Sequence, residues 1–399
     1  MKRVVITGSG TVNPLAHDVP GTCAALQAGR CAIGPLQFRD VERLTIRIGA
    51  QIKGWRPEAQ FSRAELAMMD PFSQYAVAAA RQAVAEAGLR FDGDLAETSG
   101  VIIGSAGGGL HTTDDTYREV YEARKSRVHP FVVPRLMLNA AASHVAISFG
   151  LQGPVYAVSS ACSSSNHAIG QAFQMIRQGQ ARVMLAGGSD AMLCFGGIKA
   201  WEGLRVMSAT GCRPFSAGRD GMVMGEGAAV FVLEERGHAT ARGADILAEV
   251  AGFAMTSDAA DMVQPSVAGA ARAMRLALRD AGLAADEVGY INAHGTGTAA
   301  NDRAEAAAIA QVFGVAPPVS ATKAMHGHLM GGAGAVELLA CLMALRQGIL
   351  APTIGHVAGD PDCGLDMVPN VARTAKVRAT ISNSFAFGGL NAVLALRSA

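Results

Sequence analysis

Short apolar runs alternate along this chain with stretches in which apolar positions recur every three or four residues, the pattern of buried strands exchanging with amphipathic helices. The clearest case is residues 153–179, GPVYAVSSACSSSNHAIGQAFQMIRQG. A β-branched run over 155–158 predicts a strand, small residues cluster around Cys162, and Ile169, Phe173 and Ile176 then recur at helical spacing up to a stop at Gly179. The order is strand, turn, helix, with a cysteine at the joint. Ser163, Ser164 and Ser165 are residue types that cap helix N-termini, so Cys162 is expected where free backbone N–H groups and the positive end of the helix dipole converge. That field should lower the thiol pKa toward neutrality and make Cys162 a nucleophile whose own N–H faces an oxyanion. A small buried cysteine at a packing point is the plain alternative, and for one cysteine taken alone it is the commoner outcome.

The same alternation organises the rest of the chain. Residues 3–6 read as a strand closing on a tight turn at Gly8-Ser9-Gly10, and residues 22–28 as a short helix followed by an irregular stretch to Pro57. The spacing predicts a long Ala-rich helix over 71–87, ended by Gly88. A strand over 101–104 runs into Ser105-Ala106-Gly107-Gly108-Gly109, a loop that lets backbone or ligand approach closely. Residues 117–127 carry Arg124, Lys125 and Arg127 together and read as a charged, exposed segment. Further strands are predicted over 182–186, ending in Gly187-Gly188-Ser189-Asp190, and over 228–233 after a glycine-rich stretch.

The second half echoes the first. Val158-Ser159-Ser160-Ala161 leading to Ile176-Arg177-Gln178-Gly179 is answered by Val319-Ser320-Ala321-Thr322 leading to Leu345-Arg346-Gln347-Gly348. Gly225-Glu226-Gly227-Ala228-Ala229-Val230 is answered by Gly388-Gly389-Leu390-Asn391-Ala392-Val393. These echoes imply an α/β protein built from a duplicated unit, with halves at residues 1–245 and 246–399, each a sheet flanked by helices.

Composition narrows the function. Half of the 399 residues are hydrophobic and 17% are charged, with 47 glycines, which suits a tightly packed α/β protein. A net charge of +1 with no long basic run argues against nucleic acid as a partner. Seven cysteines without a C-x-x-C pair point to a reducing, cytoplasmic setting and to neither a disulfide framework nor structural zinc. The longest apolar helix, around residues 335–345, carries Glu337 and is too short to span a bilayer, so no membrane insertion is expected.

Three further constellations carry chemistry. Tyr290-Ile291-Asn292-Ala293-His294-Gly295-Thr296-Gly297-Thr298 is a strand end delivering a histidine into a loop of glycines and threonines. Ala321-Thr322-Lys323-Ala324-Met325-His326-Gly327-His328 gathers a lysine and two histidines before a helix. Asn383-Ser384-Phe385-Ala386-Phe387-Gly388-Gly389 is a flexible loop with aromatic residues before the last strand. A lone histidine is most often structural, and the i, i+2 spacing of His326 and His328, with no third ligand, is not that of a helical zinc site. Placed together at strand ends with Cys162, these groups favour one shared cleft.

SSACSSS with Cys162, NAHGTGT with His294, TKAMHGH with Lys323 and His328, GAGAVE with Glu337 and NSFAFGG with Phe387 resemble the motif set of the type I/II β-ketoacyl-(acyl carrier protein) synthases of the thiolase superfamily. The likeness covers nearly the whole chain, and five motifs stand in the family's order. It implies a thiolase fold of two βαβ-rich halves in five α-β-α-β-α layers, working as a homodimer. It also implies an acyltransferase. An acyl group arrives on the phosphopantetheine arm of an acyl carrier protein and is held on Cys162, with the N–H groups of Cys162 and Phe387 as oxyanion hole. Malonyl-carrier protein is decarboxylated against His294 and His328, and the chain grows by two carbons. Lys323, paired with Glu337, fixes the histidines. Thr296 and Thr298 resemble pantetheine-binding residues, and Phe387 a gate that moves when the acyl group enters. No metal or redox cofactor is needed.

Departures from the pattern concern the substrate. Leu390 replaces a usual threonine, His326 stands where elongation enzymes often have threonine, Gly107 takes the place of a bulky aliphatic residue, and Trp201 replaces a pocket phenylalanine. With Phe385 in the same loop, these residues predict a wider entrance, a changed pocket floor and an acyl chain other than an ordinary saturated one. Arg124, Lys125 and Arg205 resemble basic carrier-docking positions, but residues 64–68 have alanine and methionine where relatives have basic residues. A specialised carrier and a nodulation- or polyketide-type branch are implied. A thiolase would need a cysteine in the last loop, a silent partner subunit would lack Cys162, and a nicotinamide-binding protein rests on Gly8-Ser9-Gly10 alone.

Overall fold

The echoed sequence folds as an echoed sheet. A computed structural model describes residues 1–357 and 360–399. The first half contributes strands β1 (Val4–Val12), β2 (Ser99–Gly104), β3 (Val155–Val158), β4 (Val183–Asp190) and β5 (Gly227–Glu235). The second contributes β6 (Ala248–Ser257), β7 (Tyr290–Asn292), β8 (Val319–Ser320), β9 (Ala379–Ala386) and β10 (Leu390–Arg397). All ten hydrogen-bond in one sheet of order β8-β7-β9-β10-β6-β1-β5-β4-β2-β3. In both halves the two connections nearest the edge strand are parallel and the two nearest the seam antiparallel. The seam is the antiparallel pairing of Val4, Val5 and Ile6 with Val250, Glu249 and Ala248.

The helices used below are α1 (Pro71–Ala87), α2 (Ala140–Phe149), α3 (Ser164–Arg177), α4 (Phe195–Glu202), α5 (Val267–Ala281), α6 (Ala299–Phe313) and α7 (Ala333–Gln347). Strand alternation places them in layers. Ile102 of β2 faces a core with Ile169 and Phe173 of α3 and Leu338 and Leu342 of α7, while its neighbours Val101 and Ile103 face Phe72 and Val77 of α1. In the second half Ile291, Ile381 and Val393 face Met274 of α5 and Ile309 of α6. The result is five layers, with α3 and α7 sandwiched between the two half-sheets. The α1 boundaries follow the expectation: Pro71 opens the helix behind an Asp70 cap, and Gly88, at φ +63°, closes it in the left-handed conformation that glycine favours.

Two local expectations are corrected. Gly8-Ser9-Gly10 is no turn but the middle of β1, and Gly187–Asp190 stays within β4. At Gly8 and Gly10 a Cβ would lie 2.1 and 2.0 Å from the carbonyl oxygens of Ala83 and Ala79, so these glycines let α1 press directly on the strand. No described helix is long and apolar enough to cross a membrane.

Candidate active site

The site is built where strand ends of both halves meet. After β3 the chain turns through Ala161, held at φ +51°, and delivers Cys162 just before α3. β7 ends one residue before Ala293-His294, and β8 leads into Lys323 and, past Gly327 at φ +69°, into His328. β9 and β10 are joined by the turn carrying Phe387. These segments close a cavity of about 150 Å³ lined by Cys162, His294, His328, Phe385 and Phe387, with Thr296, Thr298 and Trp201 also on its wall. The sulfur of Cys162 and the ligating nitrogens of His294 and His328 all lie within 4.8 Å of one another.

Hydrogen bonds fix the protons of both imidazoles. The Lys323 ammonium donates to the His294 carbonyl oxygen (2.6 Å) and lies 3.3 Å from His294 Nδ1. It also makes a short contact with Glu337, and both side chains are fully buried. At His328, Nδ1 accepts the Met330 N–H at 3.1 Å, and Nε2 is buried without a partner among the described residues. Both Nδ1 atoms are thus acceptors, so both rings carry their proton on Nε2. Burial first, then the Lys323 charge, holds both histidines well below their usual range, so they are neutral donors. The Cys162, His294 and His328 triangle has the size of a soft-metal site. The two Nε2 atoms nevertheless offer hydrogens rather than lone pairs unless both tautomers change. His326 spends its nitrogens on Thr322 Oγ1 (3.0 Å) and the Gly327 carbonyl (2.7 Å), and burial lowers its pKa to about 3.

Cys162 departs from expectation. Burial pushes its thiol up to about 11, although Lys323 and the N–H groups of Cys162 and Phe387 pull the other way. Desolvation outweighs the favourable field, so the resting group is a thiol rather than a thiolate. The serines do not cap α3 through their side chains. Ser163 Oγ donates to the Ser160 carbonyl (2.9 Å) and Ser164 Oγ to the Ala161 carbonyl (2.6 Å), and both stiffen the turn before the cysteine instead.

Gly107 is not on the cavity wall. A Cβ there would lie 2.7 Å from Met192 Sδ, so Met192 occupies the space that a bulky residue would fill, and no wider entrance results. Trp201 of α4 stacks on Phe387, with centroids 5.8 Å apart and planes at 20°. Thr298 caps α6 by accepting the Asn301 N–H and lies 2.9 Å, oxygen to oxygen, from Thr296. Arg124, Lys125 and Arg205 are exposed and outside the cavity, and Lys125 pairs with Glu119 at 2.8 Å.

Sequence reasoning missed the carboxylates behind the site. Glu305 of α6 accepts the N–H groups of His294 and Gly295, both at 2.8 Å, and the Asn383 side-chain amide at 3.1 Å. Asp302 accepts the Phe215 N–H at 2.8 Å and faces the buried Arg219. Their signal was two acids three positions apart on one face of an Ala-rich helix following the NAHGTGT motif, a face that turns out to be buried. Asp190 collects donors from two loops beside Cys162.

A thiol and two neutral imidazole N–H donors around one cavity, in an α/β fold of two echoed half-sheets, are groups suited to carbon–carbon condensation. Comparison with known proteins agrees. Residues 1–239 match the β-ketoacyl synthase N-terminal domain and residues 247–356 the β-ketoacyl synthase C-terminal domain. Nodulation protein E of a Rhizobium species is 49% identical over 399 residues, covering 99% of both chains. The 3-oxoacyl-(acyl-carrier-protein) synthase 2 of Staphylococcus aureus is 39% identical over 406 residues, covering 99% of this chain and 98% of that one. The solved ishigamide ketosynthase/chain length factor superposes with a TM-score of 0.96 at 37% identity, covering 100% of this chain and 99% of that one. The chain belongs to the β-ketoacyl synthase family, and it is an acyl-transferring, carbon–carbon bond-forming enzyme.

Proposed function

We propose that Cys162 holds the growing acyl chain while His294 and His328 decarboxylate a malonyl thioester brought by an acyl carrier protein. In the first half-reaction Cys162 Sγ attacks the acyl thioester and the carrier's thiol leaves with the cysteine proton. In the second, the malonyl thioester oxygen takes hydrogen bonds from both Nε2–H groups. The bond to the carboxylate breaks, carbon dioxide departs, and the electron pair becomes an enolate whose oxygen the two donors stabilise. The enolate carbon attacks the acyl carbonyl. Its oxyanion sits against the N–H groups of Cys162 and Phe387, and collapse expels the Cys162 sulfur as a thiolate, which takes a proton from water to restore the thiol, and yields a β-ketoacyl product two carbons longer. Lys323, held by Glu337, keeps His294 in the donor tautomer, and Thr296 and Thr298 receive the pantetheine amides. The cycle uses no metal or redox cofactor.

The observation that carries this reading is the 4.8 Å triangle of Cys162, His294 and His328 with both imidazoles proton-bearing toward the cavity. It is tested by intact-protein mass spectrometry after incubation with a panel of acyl thioesters, wild type beside Cys162→Ala. A mass gain lost in the variant supports the acyl-enzyme, and the best-loading chain names the substrate. Absence of loading from every carrier would favour a partner-dependent subunit.

We take the protein to be a cytoplasmic homodimer with residues 1–245 and 246–399 as its halves. Seven free cysteines support the reducing setting. The edge strand β3, half-buried along its length, and the exposed Phe131, Val133, Met137 and Leu138 support a second copy against this side. Arg124, Lys125 and Arg205 are proposed to meet the acidic carrier. Trp201, closing on Phe387, is proposed to shape a pocket for a specialised acyl chain, in line with the nodulation-type relatives.

A further inference from the structure

Asp190, at the end of β4, is wholly buried and pairs with no cation among the described residues, yet both its oxygens are saturated. Oδ1 accepts Ser105 Oγ–H at 2.7 Å and the Gly107 N–H at 3.0 Å. Oδ2 accepts the Ala106 N–H at 2.9 Å and the Gly331 N–H at 2.6 Å. Three donors come from the loop beyond β2 and the fourth from the turn between His328 and α7. That turn is strained: Met330, a non-glycine residue, stands at φ +50°. Its N–H is the group that occupies His328 Nδ1 at 3.1 Å. Gly331 fits this position because it lacks a Cβ, which would lie 2.6 Å from the Ala106 nitrogen and 2.7 Å from Asp190 Oδ2. A left-handed residue persists where its surroundings over-determine it, and Asp190 supplies the bond immediately after it.

We propose that Asp190 is a positioning residue for decarboxylation: by gripping Gly331 it holds Met330 in the strained turn, and Met330 in turn fixes His328 as the Nε2–H donor. It touches no reacting atom. The proposal rests on the reading of His328 as an enolate-stabilising donor given above.

The test separates the two half-reactions in the full-length protein, measuring Cys162 loading by mass spectrometry and carbon dioxide release from malonyl-carrier protein without an acyl primer. Asp190→Ala is expected to keep a cooperative melt, to load Cys162 within about threefold of wild type, and to lose about 10- to 100-fold in decarboxylation, the usual cost of removing a group that orients a functional histidine. Asp190→Asn is expected to recover part of that loss, because its amide oxygen can keep the Gly331 and Ala106 N–H groups while its nitrogen turns to the Ser105 hydroxyl and leaves the Gly107 N–H without an acceptor. Nitrogen NMR of ring-labelled histidines should show His328 as a single Nε2–H tautomer in wild type and a mixture in Asp190→Ala. Should Asp190→Ala fail to fold, Gly331→Ala applies the same displacement from the other side and must lose decarboxylation selectively. Equal losses in both half-reactions, or an unchanged His328 tautomer in the displaced variants, would overturn the proposal. A wild-type protein that loads but never decarboxylates would overturn the function assigned to the histidines instead.

Discussion

Lys323 Nζ touches His294 twice, at its carbonyl oxygen (2.6 Å) and at Nδ1 (3.3 Å), so one ammonium fixes both the backbone and the tautomer of that histidine. The ammonium is fully buried, and among the described residues Glu337 is its one acidic hydrogen-bond partner. Removing the lysine alone strands a carboxylate in the core, which should cost about 3–5 kcal/mol. Lys323→Met combined with Glu337→Leu should recover most of that stability in urea melts while decarboxylation stays abolished. A double variant as unstable as Lys323→Ala would refute the pairing.

The pKa of Cys162 gives a direct pH prediction. With the thiol pushed up to about 11 by burial, the thiolate fraction rises about tenfold per pH unit through the neutral and mildly alkaline range. Alkylation of Cys162 by iodoacetamide should follow that slope from pH 7 to pH 10. A rate already level below pH 9 would mean that the helix field dominates desolvation after all.

Glu226 links pH to stability. It is buried, accepts the Ile52 N–H at 2.9 Å, and burial raises its pKa from 4.5 to about 7. The folded state therefore keeps a proton that the unfolded chain has released. Stability from this group is full below about 4.5 and is lost as pH rises toward about 7, a change of about 3 kcal/mol. Asp190 and Asp302, each raised to about 6, act in the same direction. Glu226→Gln should flatten the slope of unfolding free energy between pH 5 and pH 7 without removing it.

The stack of Trp201 on Phe387 offers an optical reporter. The chain has two tryptophans, so Trp55→Phe leaves Trp201 as the single indole. Acylation of Cys162 should move Phe387 and change Trp201 emission at the rate at which the mass adduct appears. Emission that stays constant through full loading would rule out movement of Phe387 as the acyl group enters.

Carrier docking is tested by charge removal. Arg124→Ala, Lys125→Ala and Arg205→Ala together should raise KM for the acyl-carrier protein with little change in kcat, and more so at low ionic strength. An affinity equal to that of wild type would discard these positions.

Much of this molecule was legible because local signals agreed with the fold. Helix α1 could be bounded to the residue because Pro71 and Gly88 punctuate an Ala-rich run, and β3 because a β-branched run ends in small residues. The paired echoes matched the sheet, since β3 corresponds to β8 and β5 to β10. What the sequence hid was tertiary. Gly8 and Gly10 carry turn chemistry on paper, but they answer to α1 lying across them. The hydroxyls of Ser163 and Ser164 were claimed by Ser160 and Ala161 before they could cap. Glu305 could not be read as a site residue because its donors come from His294, Gly295 and Asn383, in segments joined only by folding.

Strand β1 lies at the centre of the sheet, with Val4 paired to both Glu235 and Val250. Within this chain β1 is synthesised well before either of its neighbours, which follow roughly 10–50 s later at ordinary elongation rates. Until then the nascent chain carries a strand that is open on both edges, rich in valine and with nothing native to bind. Biosynthesis of this protein is therefore exposed to aggregation while β1 waits for its partners, and its yield should respond to chaperones that shield nascent segments more than to those that act on the finished chain.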